Sequence, residues 1–379
     1  MHSYRPEIDG LRALAILPVV LFHARVAGFT GGFIGVDVFF VISGFLITSL
    51  VANDLEQGRF SLLRFWERRA RRILPALLTV AVFTMVAGWF VLLPADFARL
   101  GGSVLALTTF SSNVFFWQQS GYFGPTADEL PLLHTWSLAV EEQFYLLFPI
   151  TMVVITKFMP KWRTQLVLLF GVSSLLLSVW AVEHMPAAAF YLLPTRAWEL
   201  ALGAWLALRA SGRPAHEGIR QVVSVIGVAC IAVPVFAYDS GTVFPALNAL
   251  APVVGAGLVI WSNGTTRTVV GRLLAAKPLV YVGLISYPLY LWHWPLLAFA
   301  RYPNASPSLS PSVIIGVIVA SFVLAHLSWR FVEAPFRIRA WLPKQASMLA
   351  GAAAALVIVG ISATVLGVKH FEGSKSVDV

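Results

Sequence analysis

Arg12 and His23 lie in the first apolar stretch of the chain, which reads YRPEIDGLRALAILPVVLFH from Tyr4 to His23. They are eleven positions apart, and at roughly 100° per residue a helix brings both to nearly the same face. A neutral imidazole accepts and returns a proton near pH 7, so His23 is a candidate catalytic residue. A histidine packed inside a bundle fits the same position. Glu7 and Asp9 can hold Arg12 in place.

Asp37 is the second candidate for the chemistry. It stands near the start of the next apolar stretch, GFIGVDVFFVISGFLIT. Because the connection from the first stretch is short, we expect Asp37 to lie at a depth similar to that of His23. Its carboxylate can orient the imidazole ring or pair with a neighbouring cation, and both alternatives fit the sequence.

A cluster of arginines precedes the third apolar stretch, in RRARRILP from Arg68 to Pro75. Arg69 and Arg72 are three residues apart and share a helix face, where two guanidiniums can grip phosphate oxygens. We assign Arg68 and Arg12 to the same phosphate-binding site. The alternative is that these arginines mark the cytoplasmic side and contact lipid phosphates.

Acidic and aromatic residues open the stretch HTWSLAVEEQFYLLFP, residues 134–149. Glu142 and Tyr145 share a helix face, with Trp136 nearby, and we expect Glu142 to take part in the chemistry. Acids at the start of an apolar helix also interact favourably with the helix dipole, which is the alternative role.

A histidine between two tryptophans stands in SYPLYLWHWPLL, residues 286–297. We expect this residue, His293, to be structural or to line a substrate site, the latter together with Tyr290. Arg196 and Glu199 are three residues apart in another apolar stretch, and this spacing predicts an ion pair inside the membrane.

The composition defines the elements that must position these residues. The chain is 58% hydrophobic and only 12% charged, which excludes an ordinary soluble globular protein. Apolar stretches of about 17–22 residues recur, the length that crosses a bilayer as a helix. We therefore predict an all-α, polytopic membrane helix bundle with about eleven transmembrane helices. They are expected near residues 11–28, 33–52, 74–93, 135–156, 164–182, 195–209, 221–238, 246–262, 279–300, 312–332 and 346–367.

The basic residues account for the orientation of the bundle. The net charge of +9 comes from loops between apolar stretches, which indicates the positive-inside rule and not nucleic-acid binding. With a cytoplasmic N-terminus, these loops all lie inside if residues 97–117 form an interfacial or re-entrant helix. The odd number of spans then puts the C-terminus outside. The sequence contains no Walker loop, metal-ligand cluster or Ser-His-Asp signature, so we expect no metal.

The motifs together resemble acyltransferase family 3 of bacterial membrane proteins, of the O-antigen acetylase type. The resemblance runs from about Arg5 to Pro343. It rests on RPEIDGLRALAILPVVLFH, GGFIGVDVFFVISGFLIT, RRARRILPAL, LLHTWSLAVEEQFYLLFP and ISYPLYLWHWP.

This resemblance implies transfer of an acetyl group from cytoplasmic acetyl-CoA to a hydroxyl of an extracytoplasmic carbohydrate. The acceptor would be lipopolysaccharide O-antigen, peptidoglycan, exopolysaccharide or a small glycoside, and the location the bacterial inner membrane. The resemblance makes His23 the catalytic histidine and Arg12 essential, and it makes Arg69 and Arg72 contacts of the CoA phosphates.

The resemblance also implies a division of the chain. Residues 1–343 would form the membrane acyltransferase domain. Residues 344–379 would form a further transmembrane helix with a short extracytoplasmic tail, a linker to a periplasmic SGNH-type domain. We expect membrane lipid, acyl-CoA and the glycan acceptor as partners, and no nucleic acid.

The dimensions of acetyl-CoA fit this picture. Its pantetheine arm is on the order of 20 Å long, and a helix rises about 16 Å from Arg12 to His23. His23 can deprotonate the sugar hydroxyl or accept the acyl group covalently. The outer, sugar-facing half would then be lined by Glu142, Trp136, Tyr145, His293 and Tyr290. The alternative function is a transporter or flippase that moves a lipid-linked sugar without chemistry.

Overall fold

The protein is described by a computed structural model over residues 4–121, 126, 130–209, 216–302 and 308–375. Within these ranges the regular secondary structure is helical and contains no strand, which confirms the predicted all-α class. The α-helices are α1 (Pro6–His23), α2 (Gly35–Glu56), α3 (Leu62–Val91), α4 (Pro94–Thr108), α5 (Ser112–Gln119), α6 (Thr135–Phe158), α7 (Arg163–His184), α8 (Pro186–Tyr191), α9 (Leu193–Arg209), α10 (Glu217–Ala237), α11 (Leu250–Ser262), α12 (Val269–Leu274), α13 (Lys277–Leu284), α14 (Ser286–Arg301), α15 (Pro311–Leu327), α16 (Ala334–Arg337) and α17 (Gln345–Lys375).

Seven helical stretches in the described residues are long and apolar enough to cross a membrane, so the chain is a polytopic membrane protein. They are Gly32–Glu56, Leu62–Val91, Thr135–Phe158, Pro160–His184, Glu217–Ala237, Pro311–Arg337 and Gln345–Gly373. The other four predicted spans fall on α1, α9, α11 and α14, which have 18, 17, 13 and 16 residues.

Three predicted helices end or break earlier than the apolar pattern indicates. Helix α1 ends at His23, because Arg25 takes a left-handed backbone conformation with φ of 57°. The stretch 97–117 forms two helices, α4 and α5, and Phe110 between them has φ of 54°. A single left-handed residue interrupts the helical hydrogen bonds, and apolar periodicity does not reveal it. The predicted span 279–300 also divides, into α13 and α14, although Ile285 between them has a negative φ of −92°.

The chain forms two compact units, and the first contains Met1–Phe60 and Gln143–Ser286. In this unit α9 packs along both α2 and α7, while α1 packs along α13. The backbones of α2 and α9 are in close contact. A Cβ at Gly44 would lie 1.9 Å from the Leu200 carbonyl oxygen, and one at Gly203 would lie 2.0 Å from that of Val41. Small residues allow helices to approach this closely, and the contact fixes Asp37 on α2 relative to Arg196 on α9.

The second unit contains Ser61–Glu142 and Tyr287–Val379. Here α17 packs along α4 and α3, and α3 also contacts α16 and the π-helical turn Ser328–Glu333. The domain boundary expected at residue 343 stays a prediction. Residues 376–379 of the expected tail lie outside the described residues.

Replacing Gly203 by alanine should lower the stability of the first unit by about 1–3 kcal/mol, because the new methyl group has no room between α2 and α9. Thermal unfolding of the purified chain in detergent, followed by tryptophan fluorescence, measures this. Gly316→Ala is the matched control, since a Cβ at Gly316 in α15 meets nothing within 4 Å. Equal melting temperatures for the two variants would contradict the close packing of α2 on α9.

Candidate functional site

Arg12 is buried in α1 and is held by an acid one turn earlier. Its Nη1 lies 3.3 Å from Oδ1 of Asp9, which confirms that Asp9 holds Arg12 in place. Glu7 instead pairs with Arg5 at 2.7 Å and with Arg267 at 3.2 Å. These ion pairs order the start of α1.

His23 is the last residue of α1, and its side chain is half-buried. The imidazole ring lies 5.2 Å from the ring of Phe22, which contacts Phe33 edge-on at 5.4 Å. Phe33 in turn contacts the ring of Phe244 at 4.9 Å. His23 therefore lies at a helix end beside a row of aromatic rings and retains some exposed surface. A residue that contacts a ligand needs such a surface.

Asp37 is part of a buried charge cluster. Arg196 donates a hydrogen bond of 2.7 Å from Nη2 to Oδ1 of Asp37, and its Nε lies 2.8 Å from Oε1 of Glu199. The side chain of Arg196 is 1% exposed, and those of both acids are 0% exposed. The predicted pair of Arg196 with Glu199 is confirmed. Asp37 pairs with a cation, the second of its two alternatives, and its part in the reaction stays a prediction.

The arginines of α3 differ in burial. Arg68, Arg69 and Arg72 are half-buried, whereas Arg71 between them is buried. The Arg69 guanidinium carbon lies 5.9 Å from the centre of the Phe65 ring, a cation–π distance. Three arginines in this turn therefore retain some exposed surface.

Glu142 lies in electrostatic range of Arg69 within the second unit. Glu142 is near the start of the fourth predicted span, which indicates the outer half of the membrane. The arginines of α3 precede the third predicted span, at its inner end, so the sequence predicts that they are far from Glu142. The structure corrects this separation, because the interaction with Arg69 requires the two side chains to be close together. Helices α3 and α6 also line one cavity of about 10 Å³, roughly the space of a single water molecule. Its lining includes Ile73 and Leu77 from α3 and Glu142 from α6.

The residues predicted to line a substrate site are buried. Trp136, Tyr145, Tyr290 and His293 are all in the interior. The Tyr290 hydroxyl donates to the main-chain carbonyl of His134 at 2.7 Å and lies 2.7 Å from the Ser137 hydroxyl. Tyr290 therefore fixes the start of α6, and a direct contact of these residues with substrate stays a prediction.

His134 is a further buried residue of this region, and it stands two residues before Trp136 in the same motif. Its ring lies 5.7 Å from the ring of His293. Burial, together with the neighbouring His293, lowers the pKa of His134 well below its usual value. The imidazole is therefore neutral near pH 7. No metal-ligating group of three His, Cys, Asp or Glu residues occurs in the described ranges.

Comparison with protein families identifies the class. The model of acyltransferase family 3, described as "Acyltransferase domain", matches residues 5–330. This range contains α1, with His23 and Arg12, and α3, with the arginine cluster. The chain belongs to this family of acyltransferase enzymes.

Two relatives show the kind of protein that the chain is similar to. It is 32% identical over 372 residues to the O-acetyltransferase OatA of Staphylococcus aureus strain MRSA252, covering 92% of this chain and 60% of that protein. It is 30% identical over 360 residues to the peptidoglycan O-acetyltransferase OatA of Listeria monocytogenes, covering 89% of this chain and 56% of that protein. The chain thus spans under two thirds of the length of these relatives. No solved structure matches it significantly.

Replacing Arg196 by methionine should lower the stability of the first unit by about 3–5 kcal/mol. The reason is that the buried carboxylates of Asp37 and Glu199 then lose the cation that neutralises them. The control is Arg163→Met, which removes a pair with the exposed Glu56 at 3.0 Å and should cost under about 1 kcal/mol. Thermal unfolding of both variants measures the difference. Comparable small losses would show that the cluster of Asp37, Arg196 and Glu199 does not hold α2 to α9.

Proposed function

We propose that the chain is a membrane O-acetyltransferase that moves an acetyl group from cytoplasmic acetyl-CoA to a hydroxyl of an extracytoplasmic cell-envelope carbohydrate. The match of residues 5–330 to the acyltransferase family carries this proposal. The proposed setting is the bacterial inner membrane, with the N-terminus in the cytoplasm and the C-terminus outside. The basic loops between apolar helices support that orientation.

The arginines of α3 are the proposed contacts of the donor phosphates. CoA carries a pyrophosphate and a 3′-phosphate, and guanidinium groups bind phosphate oxygens through paired hydrogen bonds. Arg69 and Arg72 are three residues apart on one helix, and both are half-buried and keep some exposed surface. Arg68 is a third member, and Arg12, held by Asp9 in α1, is the proposed further contact.

His23 is the proposed catalytic residue. In a direct transfer, its imidazole takes the proton of the acceptor hydroxyl while the oxygen attacks the thioester carbonyl. The new C–O bond forms, the C–S bond breaks, and the proton passes to the CoA thiolate. In a two-step transfer the imidazole nitrogen first takes the acetyl group and then yields it to the hydroxyl. Mass spectrometry of protein quenched without an acceptor separates the routes, because only the second gives an acetylated histidine.

Peptidoglycan is the proposed acceptor, and O-antigen and exopolysaccharide are the alternatives. The name of the Listeria monocytogenes relative, a peptidoglycan O-acetyltransferase, supports this choice. The aromatic residues Trp136 and Tyr145 are proposed to shape the acceptor half, and Glu142, which lies in electrostatic range of Arg69, is proposed to take part in the chemistry. We further propose a periplasmic SGNH-type domain as a partner in the native protein, supported by the greater length of the relatives. Finding no such coding sequence next to this chain in the native gene would contradict that part.

Replacing His23 by alanine should lower acetyl transfer at least about a hundredfold, because the proton-accepting group is lost. The measurement is transfer of radiolabelled acetyl from acetyl-CoA to chitotetraose by the chain in nanodiscs. His184→Ala is the control, since His184 is an exposed histidine that stacks on Trp180. Full transfer by His23→Ala would remove His23 from the mechanism. If wild-type chain bound no acetyl-CoA but moved lipid-linked sugar across liposomes, the flippase alternative would replace the proposal.

A further inference from the structure

Arg71 stands between the two arginines proposed to bind the donor, yet its surroundings are different. Its residue surface is only 3% exposed, whereas Arg69 and Arg72 are half-buried. The Arg71 Nε pairs with the carboxylate of Glu67 one turn earlier in α3. Glu67 is itself fully buried and also accepts a hydrogen bond of 3.1 Å from Nη2 of Arg339.

The rest of the Arg71 guanidinium binds a segment far along the chain, residues 336–343, which we call the clamp segment. Nη2 donates to the Leu342 carbonyl at 2.7 Å and to that of Pro343 at 3.5 Å. Nη1 donates to the carbonyls of Trp341 at 3.3 Å and Phe336 at 3.4 Å. With Glu67, this gives five acceptors for the five N–H donors of an arginine. Arg71 therefore has no donor left for a phosphate.

The clamp segment is held in a conformation that its own residues disfavour. Arg339 and Leu342 have positive φ angles of 59° and 48°, in the left-handed region that non-glycine residues rarely adopt. Such strain persists where surrounding contacts impose it, and it concentrates at functional sites. Here the imposing contacts are the hydrogen bonds from Arg71 and the pairing of Arg339 with Glu67.

The same turn of α3 is held from a second side. The Tyr287 hydroxyl, on α14, donates to the carbonyl of Ile73 at 2.9 Å. Pro75 follows in α3 and has no N–H, so it cannot make the helical hydrogen bond to the Arg71 carbonyl. Side-chain contacts from Arg71 and Tyr287 thus compensate for a locally weakened stretch of helix.

We propose that Arg71 is a positioning residue for donor binding, which together with the clamp segment fixes the α3 turn that carries Arg69 and Arg72. This inference rests on the proposed function, in which those two arginines bind the phosphates of acetyl-CoA. A turn that is already fixed loses less conformational entropy when the ligand binds. The clamp segment lies beyond residue 330, so donor binding depends on residues outside the range matched to the family.

The test is the affinity of the whole chain in nanodiscs for acetyl-CoA, measured by isothermal titration calorimetry. Arg71→Met should weaken binding about tenfold and raise the KM for acetyl-CoA by a similar factor. The KM for chitotetraose should stay unchanged. Arg71→Lys keeps the charge and some donors, so it should recover part of the affinity. If Arg71→Met fails to fold, Tyr287→Phe removes one hydroxyl only and should weaken binding about threefold.

Arg220→Met is the matched control for a general loss of stability. Arg220 is 5% exposed and clamps a loop of the first unit, donating from Nη2 to the Thr266 carbonyl at 2.9 Å and to its hydroxyl at 2.6 Å. This variant should unfold at a lower temperature but bind acetyl-CoA as the wild type does. Equal weakening by Arg220→Met and Arg71→Met, or no weakening by Arg71→Met, would overturn the inference.

A variant with both Arg69→Met and Arg72→Met provides the second test. If Arg71 acts through these two arginines, adding Arg71→Met to that variant should cause no further loss of acetyl-CoA affinity. A full additional tenfold loss would show that Arg71 acts independently of them and overturn the inference. Wild-type chain that binds no acetyl-CoA would instead contradict the proposed function itself.

Discussion

A charged side chain inside an apolar helix bundle is stable only beside a partner, because no water solvates it there. In the first unit this constraint joins Asp37 on α2 to Arg196 and Glu199 on α9. In the second unit it joins Glu67 and Arg71 on α3 to the clamp segment. Each cluster draws distant parts of the sequence together, so the charges determine which helices and segments are neighbours.

The same constraint separates charges that hold the structure from charges that can meet a ligand. Arg71 and Arg196 are buried, and their contacts are with acids and main-chain carbonyls of the protein. Arg69, Arg72 and His23 are half-buried and keep some exposed surface, and they are the residues that we propose to meet the substrates. Neighbouring arginines of one motif therefore have different roles. We propose that donor binding by Arg69 and Arg72 depends on the buried Arg71 between them.

Much of this organisation was predictable from the sequence. Apolar length and charge composition predict the helix bundle, and the spacing of Arg196 and Glu199 predicts their ion pair, because both are local properties of the chain. The order of motifs predicts the family. The pairing of Glu67 with Arg71 also follows a local i, i+4 spacing and was within reach of the same reasoning.

What escaped prediction depends on contacts between distant residues or on single backbone angles. The partner of Asp37 lies in α9, the clamp segment lies in the last part of the chain, and the hydroxyl that holds Ile73 comes from α14. The early end of α1 at His23 depends on one left-handed residue. Neither hydrophobic periodicity nor residue type encodes these features, because they follow from tertiary packing.

Donor binding at Arg69, Arg72 and His23 is tested by a structure of the chain in nanodiscs with an acetyl-CoA analogue in which a methylene group replaces the thioester sulfur. We expect the CoA phosphates to contact the guanidiniums of Arg69 and Arg72, and the acetyl carbonyl to lie against the imidazole of His23. Phosphates bound at other basic residues, or an acetyl group remote from His23, would contradict this expectation.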